Sequence, residues 1–167
     1  MAVHPPGQSL DLEVLFRSHA TPLLRLAVVL TGDPALAEDL VQEAFVRLHR
    51  ASRPPVPGAV RAYLRRTVIN LSHGHHRHLG VVRRRPVERE RDGEAADVDV
   101  VRRDGQRLVA EAVRALPTRQ RDCIVLRMYE DLTDVEIAET LGISPGSVKT
   151  HLHRARTTLA DRLEALR

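Results

Sequence analysis

Apolar residues recur every three or four positions through most of this 167-residue chain, the period of helices with one buried face. Leu12, Leu15, Phe16, Leu23, Leu26, Ala27 and Leu30 form a first stripe, with Pro22 expected to mark a bend or a new start. Thr31-Gly-Asp-Pro34 is a stop followed by a start: Gly32 ends one helix, Asp33 caps the next and Pro34 enters it. The next helix is expected over 34–51, burying Leu36, Ala37, Leu40, Val41, Ala44 and Leu48. Its outer face carries Glu38, Asp39, Gln42, Glu43 and Arg47. Arg53-Pro-Pro-Val-Pro-Gly58 makes a rigid loop. The spacing then predicts a third helix over 59–79, with Val60, Tyr63, Leu64, Thr67, Val68 and Leu71 inward and Arg61, Arg65, Arg66 and Asn70 outward.

From 80 to 105 the pattern lapses. Arg83-Arg-Arg-Pro86 leads into alternating charges with few large apolar residues, which predicts a flexible linker. Periodicity returns with Leu108, Val109, Ala112, Val113 and Leu116; after Pro117, Thr118 is expected to cap a helix holding Ile124, Val125, Leu126 and Met128. The expected architecture is all-α: a tail over 1–9, a small helical domain over 10–79, a linker over 80–105 and a second small helical domain over 106–167, the two folding separately.

The most informative stretch runs from Asp134 to Arg156. Ile137, Ala138 and Leu141 give a short helix an apolar face, and Gly142 is where that helix should stop, because glycine tolerates positive φ. Ser144 is a good N-cap and Pro145 suits the first helical position. Val148, Leu152, Ala155, Leu159 and Leu163 must face a core, which leaves Ser147, Lys149, Thr150, His151, His153 and Arg154 on the open side. A helix presenting short polar and cationic side chains near its N-terminus fits the major groove of DNA, so the segment reads as a helix–turn–helix.

Composition narrows the picture. Lys and Arg number 26 against 22 Asp and Glu, a mild positive excess that permits nucleic-acid binding without requiring it. The single cysteine, Cys123, can build neither a disulfide framework nor a Cys-based zinc site, and its neighbours Ile124 and Val125 mark it as a small core residue in a reducing cytoplasm. The uninterrupted apolar runs are too short to cross a membrane, and the N-terminal Met-Ala-Val-His-Pro-Pro lacks a leader pattern. His75 and His78 are close to one helical turn apart but have no acidic or cysteine ligand nearby, so no metal and no cofactor are expected. No nucleophile–base pair or phosphate loop stands out, which argues against an enzyme.

In their order, the two blocks resemble bacterial RNA polymerase sigma factors of the sigma-70 family, specifically the extracytoplasmic-function class. Leu12-Glu-Val-Leu-Phe-Arg-Ser-His-Ala20, Gly32-Asp-Pro-Ala-Leu-Ala-Glu-Asp-Leu-Val-Gln-Glu-Ala-Phe-Val-Arg-Leu48 and Ala62-Tyr-Leu-Arg-Arg-Thr-Val-Ile-Asn-Leu71 look like sigma region 2. Ala115-Leu-Pro-Thr-Arg-Gln-Arg121, Glu136-Ile-Ala-Glu-Thr-Leu-Gly-Ile-Ser144 and Val148-Lys-Thr-His-Leu-His-Arg-Ala155 look like sigma region 4. The Ala-Glu-Asp-Leu-Val-Gln-Glu run is the specific part, since many regulators share a helix–turn–helix. Response regulators are one such class, but they would need a strand–helix receiver domain that the first block lacks. A pure interaction module binding polymerase or an anti-sigma factor is a second alternative.

The resemblance implies a division of labour. The helix over 34–51 would dock on the clamp coiled coil of the largest catalytic polymerase subunit through Glu38, Asp39, Gln42 and Glu43. The helix over 59–79 would approach the melted −10 promoter element, with Asn70 at a position implicated in base reading and Arg65, Arg66 and Arg77 available for phosphates. Many relatives carry an Asp four residues after that Asn, followed by basic residues; here Gly74 stands there, within His73-Gly-His-His-Arg-His78. The second block would sit near the polymerase flap and meet the duplex −35 element through Ser147, Lys149, Thr150, His151 and Arg154, with Arg119 and Arg121 on backbone phosphates. Core polymerase and promoter DNA are thus the implied partners, and anti-sigma factors a further class that the family supplies.

Overall fold

The computed structural model describes the backbone over residues 11–82 and 97–165, and side chains over 11–75 and 105–165. Among the described residues there are seven α-helices and no strand: α1 (Leu12–Thr31), α2 (Pro34–Arg50), α3 (Val60–Val82), α4 (Asp97–Arg114), α5 (Thr118–Tyr129), α6 (Asp134–Leu141) and α7 (Pro145–Glu164). A short 3-10 turn, Pro57–Ala59, leads into α3.

Local chemistry sets the helix ends of the first block. Asp11 caps α1, its carboxylate accepting from the backbone N–H groups of Glu13 and Val14. Gly32 closes that helix at φ 71°, a left-handed conformation, its N–H donating to the Val28 carbonyl at 2.7 Å. Asp33 then caps α2 through Ala35 and Leu36, with Pro34 at the first helical position. Pro22 neither bends nor restarts the chain: α1 runs through it. Proline costs the helix one backbone hydrogen bond, and burial of the following Leu23, Leu26, Ala27 and Leu30 offsets that loss. α1 is long and apolar enough to cross a membrane by length and composition, but Leu23 and Ala27 pack in one core with Ala37, Val41 and Ala44 of α2 and Val60, Leu64 and Val68 of α3. Phe45 joins that core and meets the half-exposed Phe16, ring centroids 5.0 Å apart.

In the second block, Ala112, Val113, Leu116, Cys123 through Leu126, Ile137, Leu141, Val148, Leu152 and Ala155 are buried. Leu108, Val109 and Met128, expected inside, are exposed. α5 is buried on all sides over the six consecutive residues from Arg121 to Leu126, and Met128 and Tyr129 lie at its exposed C-terminal end. Thr118 is the first residue of α5 and not its cap; Pro117 holds the cap position without a side-chain bond.

Two observations concern the whole chain. The stretch expected to be linker is helical at both ends, since α3 reaches Val82 and α4 starts at Asp97; residues 83–96 lie outside the described residues. Val98, Val101, Leu108 and Ala112 keep helical spacing across Gly105, which the charged composition concealed. The two blocks also do not stand apart: Leu26 and Leu30 of α1 and Ile69 of α3 belong to the same core as Val113, Leu116, Ile124 and Leu141. Two small domains share one seam.

Candidate nucleic-acid interface

The helix–turn–helix forms as its residues demand. Thr133 and Glu136 make a reciprocal capping box at the start of α6, with the Thr133 N–H and hydroxyl donating to the Glu136 carboxylate at 2.8 and 2.7 Å. Those bonds hold the Glu136 carboxyl below its usual range. Gly142 ends α6 at φ 65°, Arg119 Nη1 donates to the Leu141 carbonyl, and the Ser144 hydroxyl accepts from the Ser147 N–H at 3.1 Å. α7 then buries Val148, Leu152 and Ala155 at 4% exposure or less. That burial turns Lys149, Thr150, His153 and Arg154 outward, with Ser147 and His151 at the edge of the exposed face. The first turn of α7, capped by Ser144, thus brings the positive end of the helix dipole and a cation-bearing face to one accessible surface.

On α2, Glu38, Asp39 and Gln42 are exposed and Glu43 is partly so, its carboxylate accepting from Arg47 Nε at 2.8 Å. Buried Ala37, Leu40, Val41 and Ala44 on the opposite side fix this orientation. The expected acidic and amide patch therefore exists as one accessible face.

The basic face of α3 is divided. Arg61, Arg66 and Asn70 are exposed. Arg77 lies on α3 by its backbone, without a described side chain. Arg65, expected to point outward, is buried at 7% exposure. Its Nη1 and the Arg61 Nη2 both donate to Oε2 of Glu130, at 3.2 and 3.0 Å, and the Glu130 side chain is itself 6% exposed. Glu130 belongs to the second block, immediately after α5.

Arg121 is likewise turned inward. Burial lowers its guanidinium pKa against the opposing pull of Asp122, whose Oδ1 is 4.0 Å from the Arg121 Nε. Asp122 is fully buried, and its Oδ2 lies 2.8 Å from His73 Nε2 on α3. That contact is a hydrogen bond that becomes an ion pair when the imidazole is protonated. Burial, reinforced by Asp122, also pushes the Cys123 thiol up to about 11, as a core residue's would be. The sequence pattern missed His73 and Glu130, because the partners of both come from the other block. Among the described residues no group of His, Cys, Asp or Glu side chains gathers as a metal site. A cleft of about 770 Å³ runs along the seam, lined by Arg61, Arg65, Arg66, Glu130, Glu136 and Glu139 among others.

Family comparisons agree with this layout. Sigma-70 region 2 matches residues 15–81, and sigma-70 region 4 matches residues 106–159. The chain is 35% identical over 161 residues to the RNA polymerase sigma-E factor of Streptomyces antibioticus, covering 95% of this chain and 87% of that protein. It is 35% identical over 155 residues to the ECF RNA polymerase sigma factor SigE of Mycolicibacterium smegmatis, covering 89% of this chain but only 60% of the relative's length. The solved structure of CnrH in complex with the cytosolic domain of CnrY overlays on 95% of this chain and 91% of CnrH, at 26% identity and a TM-score of 0.69. The chain belongs to the sigma-70 family of RNA polymerase sigma factors, in its extracytoplasmic-function group. Its function is that of a sigma factor, directing the start of transcription, and the region 2 match through the first block disfavours a response-regulator output domain.

Proposed function

We propose that the labour of initiation is divided among three faces of this chain. Glu38, Asp39, Gln42 and Glu43 on α2 attach core RNA polymerase, through attraction to basic residues of its clamp coiled coil. Asn70, with Arg66, Arg77 and the seam residue Arg65, meets the melted −10 strand. Ser147, Lys149, Thr150, His151 and Arg154 on α7 meet the −35 duplex, with Arg119 at its margin. Arg121 is given no phosphate while it stays buried. Tethering both readers on polymerase raises their effective concentration, so each can bind weakly alone. The second block lies near the flap, and an anti-sigma factor is a fitting inhibitory partner. The chain acts by binding, without bond chemistry of its own, and works in the cytoplasm beside the chromosome.

The observation that carries this reading is α7, which buries Val148, Leu152 and Ala155 while leaving Lys149, Thr150 and Arg154 accessible from one side. Run-off transcription with core polymerase on a genomic fragment library tests it. Lys149→Ala and Arg154→Ala are each expected to lower promoter-dependent initiation and leave polymerase binding unchanged. A base contact costs about 1–3 kcal/mol and relaxes preference at one position, whereas a phosphate contact weakens all sequences alike and lowers the salt slope by about one. Intact initiation in the double variant, at promoters differing only upstream, would remove α7 as the reader.

A further inference from the structure

We infer that the seam between the blocks is a self-inhibiting contact, in which the Glu130 carboxylate occupies the place of a promoter-strand phosphate; this rests on the −10 role proposed for α3. Arginines that would hold a DNA phosphate are donor forks that accept any well-placed oxyanion. Here Arg65 and Arg61 already share one oxyanion, Oε2 of Glu130, at 3.2 and 3.0 Å. Arg65 and Glu130 are nearly covered, with side-chain exposures of 8% and 6%, so a phosphate cannot reach Arg65 until Glu130 leaves. The free chain therefore competes with its own ligand.

The seam is built to open. Its apolar part is small on the first block's side: Leu26, Leu30 and Ile69 are the buried residues there that join the second block's core. Its polar part is incompletely satisfied. Asp122 Oδ1 and Arg65 Nε are buried without a hydrogen-bond partner. Buried charges in that state recover solvation when the blocks separate, which offsets part of the lost packing. At the far end of the seam, Arg114 of α4 lies over Gly32, where an added Cβ would come within 2.8 Å of its Nε. Among the described residues, three polar contacts add to that apolar one in the closed form: Glu130 with Arg61 and Arg65, Asp122 with His73, and Arg114 over the end of α1. Polymerase binding, which would hold the two readers on separate promoter elements, draws its opening from the docking energy of α2 and the second block.

The test uses the free full-length chain. Glu130→Gln keeps the shape but leaves Arg65 buried without its charge partner. Spin labels at the exposed Arg50 and Arg156 positions report the inter-block distance, and a fluorescein-labelled random-sequence single-stranded 20-mer serves as the DNA probe. Glu130→Gln is expected to shift the distance distribution outward and tighten the 20-mer by about fivefold to tenfold, the ceiling being the reciprocal of the open fraction in the parent chain. Initiation by the polymerase-bound variant should stay unchanged. Glu130→Arg combined with Arg65→Glu restores an opposite-charge pair and should restore the short distance, which separates latch loss from misfolding. An unchanged distance in Glu130→Gln, or an opened chain that binds the 20-mer no more tightly, overturns the inference. The −10 reading is judged separately, by Asn70→Ala and Arg66→Ala in polymerase-dependent run-off: their failure to matter removes that reading, while their effect with an unopened Glu130→Gln chain removes only the latch.

Discussion

A side chain's role here depends on what covers it, and α2 and α3 differ in that respect. On α2 the acidic patch is accessible as its sequence position predicts, because both the buried stripe and the exposed face are settled within one block. Asp39→Arg with Glu43→Arg is therefore expected to weaken the proposed docking on core polymerase by more than about 1 kcal/mol, the usual ceiling of a single exposed pair, since it sets cations against a basic surface. Polymerase affinity measured by fluorescence anisotropy, with helicity checked in parallel, decides the matter: equal affinity in a folded variant would detach α2 from docking. Arg65 and Arg121 behave otherwise. Periodicity places each relative to its own helix, but Arg65 is covered with Glu130, 65 positions away, and Arg121 lies in a run of six buried residues that has no helical period, so neither could be seen as covered from the sequence.

At the scale of elements, most helix ends were legible because caps act over three or four residues. Asp33 with Pro34, Gly142, and Ser144 with Pro145 all take their expected places. The Thr133–Glu136 box is equally present in the sequence as Thr-x-x-Glu, directly before the apolar positions of α6. Pro22 misled in the opposite sense, since its local cost is outweighed by tertiary burial. The box makes a pH prediction. Glu136 is held below its usual range by the Thr133 N–H and then the Thr133 hydroxyl, so the folded state favours the ionised carboxylate. Its contribution is then present above the ordinary carboxylate range and is lost as pH falls through the lowered folded value. Relative to Glu136→Gln, the parent chain should lose stability on acidification, in chemical denaturation followed by circular dichroism. Thr133→Ala should cost about 1 kcal/mol at neutral pH and flatten that dependence. Equal acid sensitivity in all three chains would mean that the box adds nothing.

At the scale of the whole molecule, the fold class and the two-block order were readable from helical period alone, whereas the docking of the blocks was not. An apolar stripe reports that a face is buried without reporting against what. Val68 and Ile69 make the point, since they are adjacent on α3 and both buried. Val68 sits in the core shared by α1, α2 and α3, while Ile69 sits in the core that reaches Val113, Leu116 and Ile124 of the second block. The two positions therefore allow the seam to be weighed apart from the stability of the first block. Truncating a buried aliphatic side chain to alanine costs about 2–5 kcal/mol for isoleucine and less for the smaller valine. Val68→Ala should lower the stability of the first block and leave the blocks docked. Ile69→Ala should spend its loss on the seam, so that calorimetric unfolding changes from one cooperative transition toward two, and the inter-block distance lengthens at temperatures where both blocks remain helical. If Ile69→Ala merely lowered a single transition as Val68→Ala does, with the distance unaltered, the blocks would be held by something other than this apolar contact. The polar contacts at Glu130, Asp122 and Arg114 would then have to carry the closed form alone.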